Sequence, residues 1–344
     1  MILADYRLTT VHIPLEKPFV TALRRVETAT ALRLELVSAE GWIGVGEAPP
    51  TVAITGESLE DIAHTLEARL LPQLLHRNLS TIDEAQEILH AARAGHTSAK
   101  AAADIALYNL FAQKEGMPLH AFLGGKRRPV KTVVTISLDT PKAMRRDALA
   151  AYARGYDLLK IKVGEKDGKD IARVRAIREV LPGATLLVDA NQAWSERATL
   201  EFIEASHALD IELIEQPLPA HDLARMRRIT ACSPIPILAD EAAFTLEDVR
   251  RVMETEAAHM VNVKLMKCGG IHKAKEILQW CRSHEVPVML GSMLETPASI
   301  EASLHLAATF TDVIRYADLD SPLLYKEIPR RCNIRAEKNL LRLE

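Results

Sequence analysis

In LLKIKVG, residues 158–164, two lysines stand two apart in an otherwise apolar run. On a β-strand alternate side chains share a face, so Lys160 and Lys162 point one way and Leu159, Ile161 and Val163 the other. Runs of the same texture recur on both sides: VKTVVTI at 130–136, ATLLVDA at 184–190, IELIEQP at 211–217, IPILADE at 235–241, MVNVKLM at 260–266, VPVMLGS at 286–292 and VIRYADLD at 313–320. Helical patterns lie between them, among them KDIARVRAIREVL, ERATLEFIEASHAL and KAKEILQWCRSH. Eight strands, each but the last followed by a helix, predict an α/β fold of the modified TIM-barrel type, (β/α)7β, over residues 121–320. A doubly wound open sheet is the competing reading, but no GxGxxG follows a first strand.

Residues 1–120 have another texture. LRLELVSAE and WIGVGEA alternate like antiparallel strands, and LEDIAHTLEARLLPQLL, IDEAQEILHAAR and SAKAAADIALYNLFAQKEG follow as helices. This predicts an α+β N-terminal lobe, joined by the C-terminal segment 321–344. Ser98 reads as an N-cap, and the glycines of GVG at 44–46 read as turn residues.

The bulk numbers narrow the function classes. With 48% hydrophobic and 26% charged residues and a net charge of −3, the chain has globular composition. Scattered basic residues give no footprint for nucleic acid, and no apolar run suits a membrane span. The first residues lack a signal-peptide layout, and four widely spaced cysteines without a CxxC read as reduced thiols, so a cytoplasmic protein is expected. The surface around a barrel leaves room for a homo-oligomer. Twelve histidines without an HxxxH or HExxH pair argue against a histidine-based zinc site.

Each predicted barrel strand ends on a polar residue: Ser137, Lys162, Asp189, Glu215, Asp240, Lys264, Ser292 and Asp318. Successive spacings run from 24 to 28 residues, about one βα unit, so these groups converge on the barrel's C-terminal mouth. Asp189, Glu215 and Asp240 crowd one side of it. Three adjacent carboxylates repel unless a divalent cation or nearby lysines offset them, and hard oxygen donors suit Mg2+, one per subunit. Strands 2 and 6 of eight lie opposite each other, so Lys162 and Lys264 face across the mouth. That suits removal of a proton from one face of a carbon and its return on the other, with the metal stabilising the enediolate. Burial, the metal and the neighbouring Lys160 are expected to lower the lysine pKa values. A lysine at a strand end also fits a Schiff-base aldolase, and a non-catalytic binding protein on the same fold is a third reading.

KIK at 160–162, DAN at 189–191, IEQP at 214–217, ADE at 239–241 and VKLMKCGG at 263–270 resemble, in order and spacing, the motifs of the muconate-lactonizing subgroup of the enolase superfamily. The resemblance implies a capping lobe over a barrel, Mg2+ on Asp189, Glu215 and Asp240, an acid/base pair in Lys162 and Lys264, and Asn191 and Glu241 as partners behind them. The histidine-base branch is not matched, since Gly291 and Ser292 end strand 7. DLD at 318–320 resembles the DxD of dipeptide epimerases, in which the aspartates bind the substrate's ammonium group. KPFVTALRRVETA at 17–29 and EAPPTVAITGES at 47–58 resemble the lobe loops of Ala-Glu epimerases. An arginine at the position of Arg24 there pairs with the glutamate side chain, while Arg25 is expected to lean to solvent. Thr135, Lys160 and Ser292 complete the expected substrate-binding set. The resemblance thus implies epimerisation of an L-Ala-L/D-Glu dipeptide from peptidoglycan turnover; other dipeptides, N-acylamino acids and muconate are the alternatives on the same machinery.

Overall fold

LRLELVS and its neighbours form the expected antiparallel sheet, in the order β1 (Leu3–Val20), β2 (Arg25–Ser38), β3 (Ile43–Ala48). Alternation decides its faces: Leu32, Leu34 and Leu36 are buried, while Arg33 and Glu35 between them face outward. The computed structural model describes residues 1–329 and 332–344. Gly44 and Gly46 lie within β3, not in a turn. A Cβ on Gly46 would stand 1.9 Å from the Ala102 carbonyl oxygen, and one on Gly44 2.1 Å from that of Ala106. The glycines therefore let the alanine-rich helix Thr97–Lys114 press its backbone onto the sheet. Ser98 is not the N-cap of that helix. It sits in the first turn, where the Glu57 carboxylate accepts from the backbone N–H groups of Ser98 (2.8 Å) and Ala99 (3.2 Å).

After β4 (Val130–Lys131), eight parallel strands run in sequential order: β5 (Val134–Ile136), β6 (Leu158–Lys162), β7 (Thr185–Asp189), β8 (Ile211–Glu215), β9 (Ile237–Ala239), β10 (Met260–Lys264), β11 (Val288–Gly291) and β12 (Ile314–Asp318). A parallel bridge between Thr132 and Ala317, with Val133 N–H donating to the Ala317 carbonyl at 2.8 Å, brings the first and last strands together. Helices follow the first seven strands, from Pro141–Ala153 to Pro297–Ala307. After β12, the only helix among the described residues is the short Ser321–Leu324. The arrangement is the expected (β/α)7β barrel.

The described residues of segment 321–344 divide their contacts between the lobe and the barrel. Tyr325 bridges to Leu15 of β1, but the hairpin β13 (Ile334–Glu337) and β14 (Leu340–Leu343) pairs with β4, beside the barrel, and not with β1–β3. Ile334, Leu341 and Leu343 pack there on Ile300, Leu304 and Leu319, apolar surface left uncovered by the missing eighth helix.

The barrel interior resolves the two-lysine strand. Leu158 joins Val133, Leu187, Leu213, Leu238, Met260 and Met289 in an apolar plug across the inside. Lys160 and Lys162 share its face and rise above it, whereas Leu159, Ile161 and Val163 pack outward. Two carboxylates dock the N-terminal lobe. Glu47 accepts from Thr296 Oγ1 (2.6 Å) and Ala298 N–H (2.9 Å), at the start of the helix after β11. Asp104 accepts from the backbone N–H groups of Ile271 (2.6 Å) and His272 (3.1 Å), at the start of the helix Ile271–Ser283. Each satisfies helix-terminal donors that no intrahelical carbonyl can reach.

Candidate active site

Parallel register brings the strand ends level: Lys162 pairs with Asp189, Asp189 with Glu215, Lys264 with Gly291, and Gly291 with Asp318. All these side chains but that of glycine turn into one buried cluster. Lys160 Nζ lies 2.7 Å from Glu215 Oε2, 2.7 Å from Asp318 Oδ2 and 3.0 Å from Asp189 Oδ2. Lys162 Nζ is 2.6 Å from Asp189 Oδ2 and 3.3 Å from Asn191 Oδ1. Across the mouth, Lys264 Nζ is 2.6 Å from Asp240 Oδ2.

These pairs fix the charge states. Burial would neutralise Asp189, but Lys160 and Lys162 outweigh it and hold the carboxyl at about 2. Asp240, with Lys264 and Lys267, lies lower still. Glu215 moves the other way, to about 7, through burial and the neighbouring Asp189, and Glu241 rises to about 8 through burial and Asp240. Without a metal ion, the carboxylates of the cluster act on Lys160 and Lys264 unopposed. Burial alone would lower each amine, but adjacent carboxylates hold both above the ordinary range.

Among the described residues no three His, Cys, Asp or Glu side chains are gathered as a ready metal cage, because ammonium groups sit between the carboxylates. This is the salt-bridge arrangement weighed against a cation in the sequence. The donor set nonetheless fits a hard cation. All three groups are carboxylates, and Glu215 Oε2 and Glu241 Oε2 are buried without a hydrogen bond; the 2.7 Å approach of Lys160 to Glu215 Oε2 is an ion pair without hydrogen-bond alignment.

A cleft of about 600 Å³, its open mouth included, lies above the cluster. Thr135, Lys160, Lys162, Asn191, Asp240, Glu241, Lys264, Ser292, Asp318 and Asp320 line it from the barrel, and Phe19, Leu23, Arg24, Ala53 and Ile54 from the N-terminal lobe. Arg24 is partly buried, and burial lowers its pKa; among the described residues no carboxylate acts on it. Arg25 is exposed and pairs with Glu27 at 3.1 Å. Asp320 accepts from the Thr135 N–H at 2.7 Å, Ser292 Oγ donates to the Asp318 carbonyl at 3.0 Å, and Asn191 Nδ2 reaches Glu241 Oε1 at 3.4 Å. Ser137 departs from the expected phase. It lies outside the cleft, accepting from Val20 N–H at 3.2 Å in β1, while Thr135 takes the inward position on that strand. Three residues had no assigned part in the sequence reading. Gln216 Oε1 accepts from the N–H groups of Asp240 and Ala242, Asn262 Nδ2 donates to Glu215 Oε1 at 2.9 Å, and fully buried Lys267 donates to Asp240 Oδ1 at 2.7 Å. Gln216 and Lys267 lie inside IEQP and VKLMKCGG, and a lysine three residues after Lys264, in an apolar stretch, was a visible signal.

Residues 4–124 match the mandelate racemase/muconate lactonizing enzyme N-terminal domain and residues 143–337 the enolase C-terminal domain-like family. The chain belongs to the enolase superfamily. Within that superfamily it is 47% identical over 319 residues to an L-amino acid-D/L-Glu epimerase of Sulfurimonas denitrificans, covering 92% of each chain. A substrate-liganded L-Ala-D/L-Glu epimerase of Bacillus subtilis superposes with a TM-score of 0.96 at 36% identity, over 100% of this chain and 97% of that one. A dipeptide epimerase of Enterococcus faecalis, complexed with Mg and L-Leu-L-Tyr, gives 0.95 at 36% identity, over 100% and 98%. This enolase-superfamily member is an isomerase of the epimerase and racemase kind, acting on dipeptides or amino acid derivatives. No helix among the described residues is long and apolar enough to cross a membrane.

Proposed function

We propose that the protein epimerises the α-carbon of the second residue of a dipeptide, with L-Ala-L-Glu and L-Ala-D-Glu as its substrates. The observation that carries this reading is the sorting of charge around the cleft: carboxylates Asp318 and Asp320 at the barrel wall, Arg24 on the lobe with no carboxylate partner among the described residues, and Lys162 and Lys264 on opposite strands. Asp318 and Asp320 take the dipeptide's ammonium group, with Thr135 and Ser292 holding that wall in place. Arg24, desolvated at the cleft, takes the acidic side chain of the second residue. Two aspartates at the ammonium end disfavour muconate, an anion at both ends.

Asp189, Glu215 and Asp240 would hold one Mg2+, with Asn191 and Glu241 behind them. When bound there, the ion supplies positive charge to the substrate carboxylate, lowering the cost of the negative charge that develops as the α-proton leaves. Lys162 and Lys264 then divide the proton chemistry. One amine removes the α-proton from its side of the carbon, the ammonium of the other delivers a proton to the opposite side, and reversal of the roles runs the reaction backwards. Lys160, held among three carboxylates, stays charged and faces the developing enediolate. A Schiff base at Lys160 would need a neutral amine, which its three ion pairs oppose.

Incubation of a dipeptide library in deuterium oxide tests the reading. The expected result is α-deuterium and loss of stereochemistry in the second residue, greatest for Ala-Glu and abolished by EDTA. Activity that survives chelation, or covalent trapping of substrate by borohydride, would overturn it.

A further inference from the structure

Each of the three carboxylates is divided in the same way. Asp189 Oδ1 accepts from the Asn191 N–H at 2.9 Å, Glu215 Oε1 from Asn262 Nδ2 at 2.9 Å, and Asp240 Oδ1 from Lys267 Nζ at 2.7 Å. The remaining oxygens, Asp189 Oδ2, Glu215 Oε2 and Asp240 Oδ2, all face the lysines of the cleft. Every carboxylate thus has one oxygen tethered to the protein and one turned inward. Two of the three tethers come from a single stretch, Asn262 in β10 and Lys267 in the short helix Leu265–Cys268 that follows it. Both residues are fully buried. Lys267 is itself immobilised. Its ammonium group also reaches the Asp240 carbonyl at 2.5 Å and the Asn262 carbonyl at 2.8 Å, and lies over the Phe244 ring at 5.5 Å. A lysine so placed cannot reach substrate. It can only fix Asp240.

We propose that Asn262 and Lys267 are positioning residues that restrict Glu215 and Asp240 to one free oxygen each and thereby set the cation preference of the site. With one oxygen engaged by a donor, each carboxylate offers a single ligand atom, and three single oxygens leave half of an octahedron open. A small cation that keeps its waters suits that arrangement. Calcium fills six to eight positions by taking carboxylates through both oxygens, which the tethers oppose. The inference rests on the reading of Asp189, Glu215 and Asp240 as metal ligands.

Titration calorimetry of Mg2+ and of Ca2+ into the metal-stripped full chain tests it, without recourse to turnover. The ratio of the two dissociation constants is the quantity to read. Removing the Lys267 charge makes the site more negative, which strengthens both cations and largely cancels in their ratio. Partners of this kind typically alter metal affinity by about 10–100-fold. Lys267→Met and, independently, Asn262→Ala should each shift the ratio toward calcium by about tenfold or more. The neutral Asn262→Ala keeps the question answerable where Lys267→Met does not fold. A folded variant with the wild-type ratio would overturn the tether proposal while leaving the ligand assignment standing. A wild-type chain that binds no Mg2+ would overturn the ligand assignment, and the tether proposal with it.

Discussion

The barrel mouth and the N-terminal lobe are both buried and both specific, but they are built from opposite materials. At the mouth, ammonium and carboxylate groups stand 2.6–3.0 Å apart with almost no solvent, and each charge makes sense only beside its partner. In the lobe the same closeness is reached by omission. Glycines in β3 meet alanines of the helix Thr97–Lys114, so that a methyl group would be one atom too many. The mouth is therefore vulnerable to changes of charge that leave the fold intact, and the lobe to changes of volume that leave charge intact.

Lys264→Ala offers the largest expected effect and strikes the mouth alone. Epimerisation should fall by about 10³-fold or more, the range of a lost acid/base group. Exchange of the α-proton into deuterium oxide should persist for the one epimer whose proton faces Lys162. Chemical denaturation should show a folded protein, and an unaltered rate would remove Lys264 from the pair. The converse change is Gly46→Ala. Its Cβ would meet the backbone of Ala102 and Ala106, so the helix must shift, at a cost of about 1–3 kcal/mol of stability, read as a lowered urea midpoint. Gly183→Ala, with nothing within 4 Å of the added carbon, serves as the control and should be nearly neutral.

Arg24 belongs to both regions, being a lobe residue that faces the mouth. Arg24→Ala should raise KM for the Glu dipeptide by about 10–100-fold, the worth of one charge-assisted pair, and leave Ala-Ala turnover little changed. An equal loss on both substrates would mean that it shapes the loop and does not bind the acidic side chain.

The smallest effect is expected at the junction of the regions, where His120 of the lobe stacks on His305 of a barrel helix with ring centroids 5.3 Å apart. Burial, with help from His120 and Arg127, depresses the His305 pKa to about 4, and its Nδ1 accepts from the His120 N–H. The unfolded chain takes up that proton near the ordinary value of 6.5. The stabilisation is therefore complete above pH 6.5 and is lost as pH falls toward 4. Each unit of the difference is worth at most about 1.4 kcal/mol, less what solvent screens. His305→Gln should flatten this part of the stability–pH curve, and an unchanged slope would assign it to other groups.

Much of the mouth was legible in the sequence because its information is periodic. A period of two along each strand and a spacing of 24–28 residues between strand ends suffice to bring Lys162, Asp189, Glu215, Asp240 and Lys264 to one end of one barrel. Where that periodicity ends, the reading failed. Ser137 lies two residues beyond the inward-facing Thr135 and leans on β1, because β5 stops at Ile136 and the chain there already answers to the lobe. GVG resembles a turn in one dimension, and only the helix lying across β3 shows why side chains are excluded from it.

The sequence by itself determined the architecture, the order of the strands, and which charged residues share the mouth, since these follow from local alternation repeated along the chain. Tertiary structure alone decided which oxygen of each carboxylate is tethered, that Lys267 holds Asp240, and that Glu47 and Asp104 dock the lobe onto barrel helices. Those contacts join residues up to 251 positions apart. Hydrogen bonds depend on distances fixed to tenths of an ångström, and only the closed barrel with its lobe in place sets them.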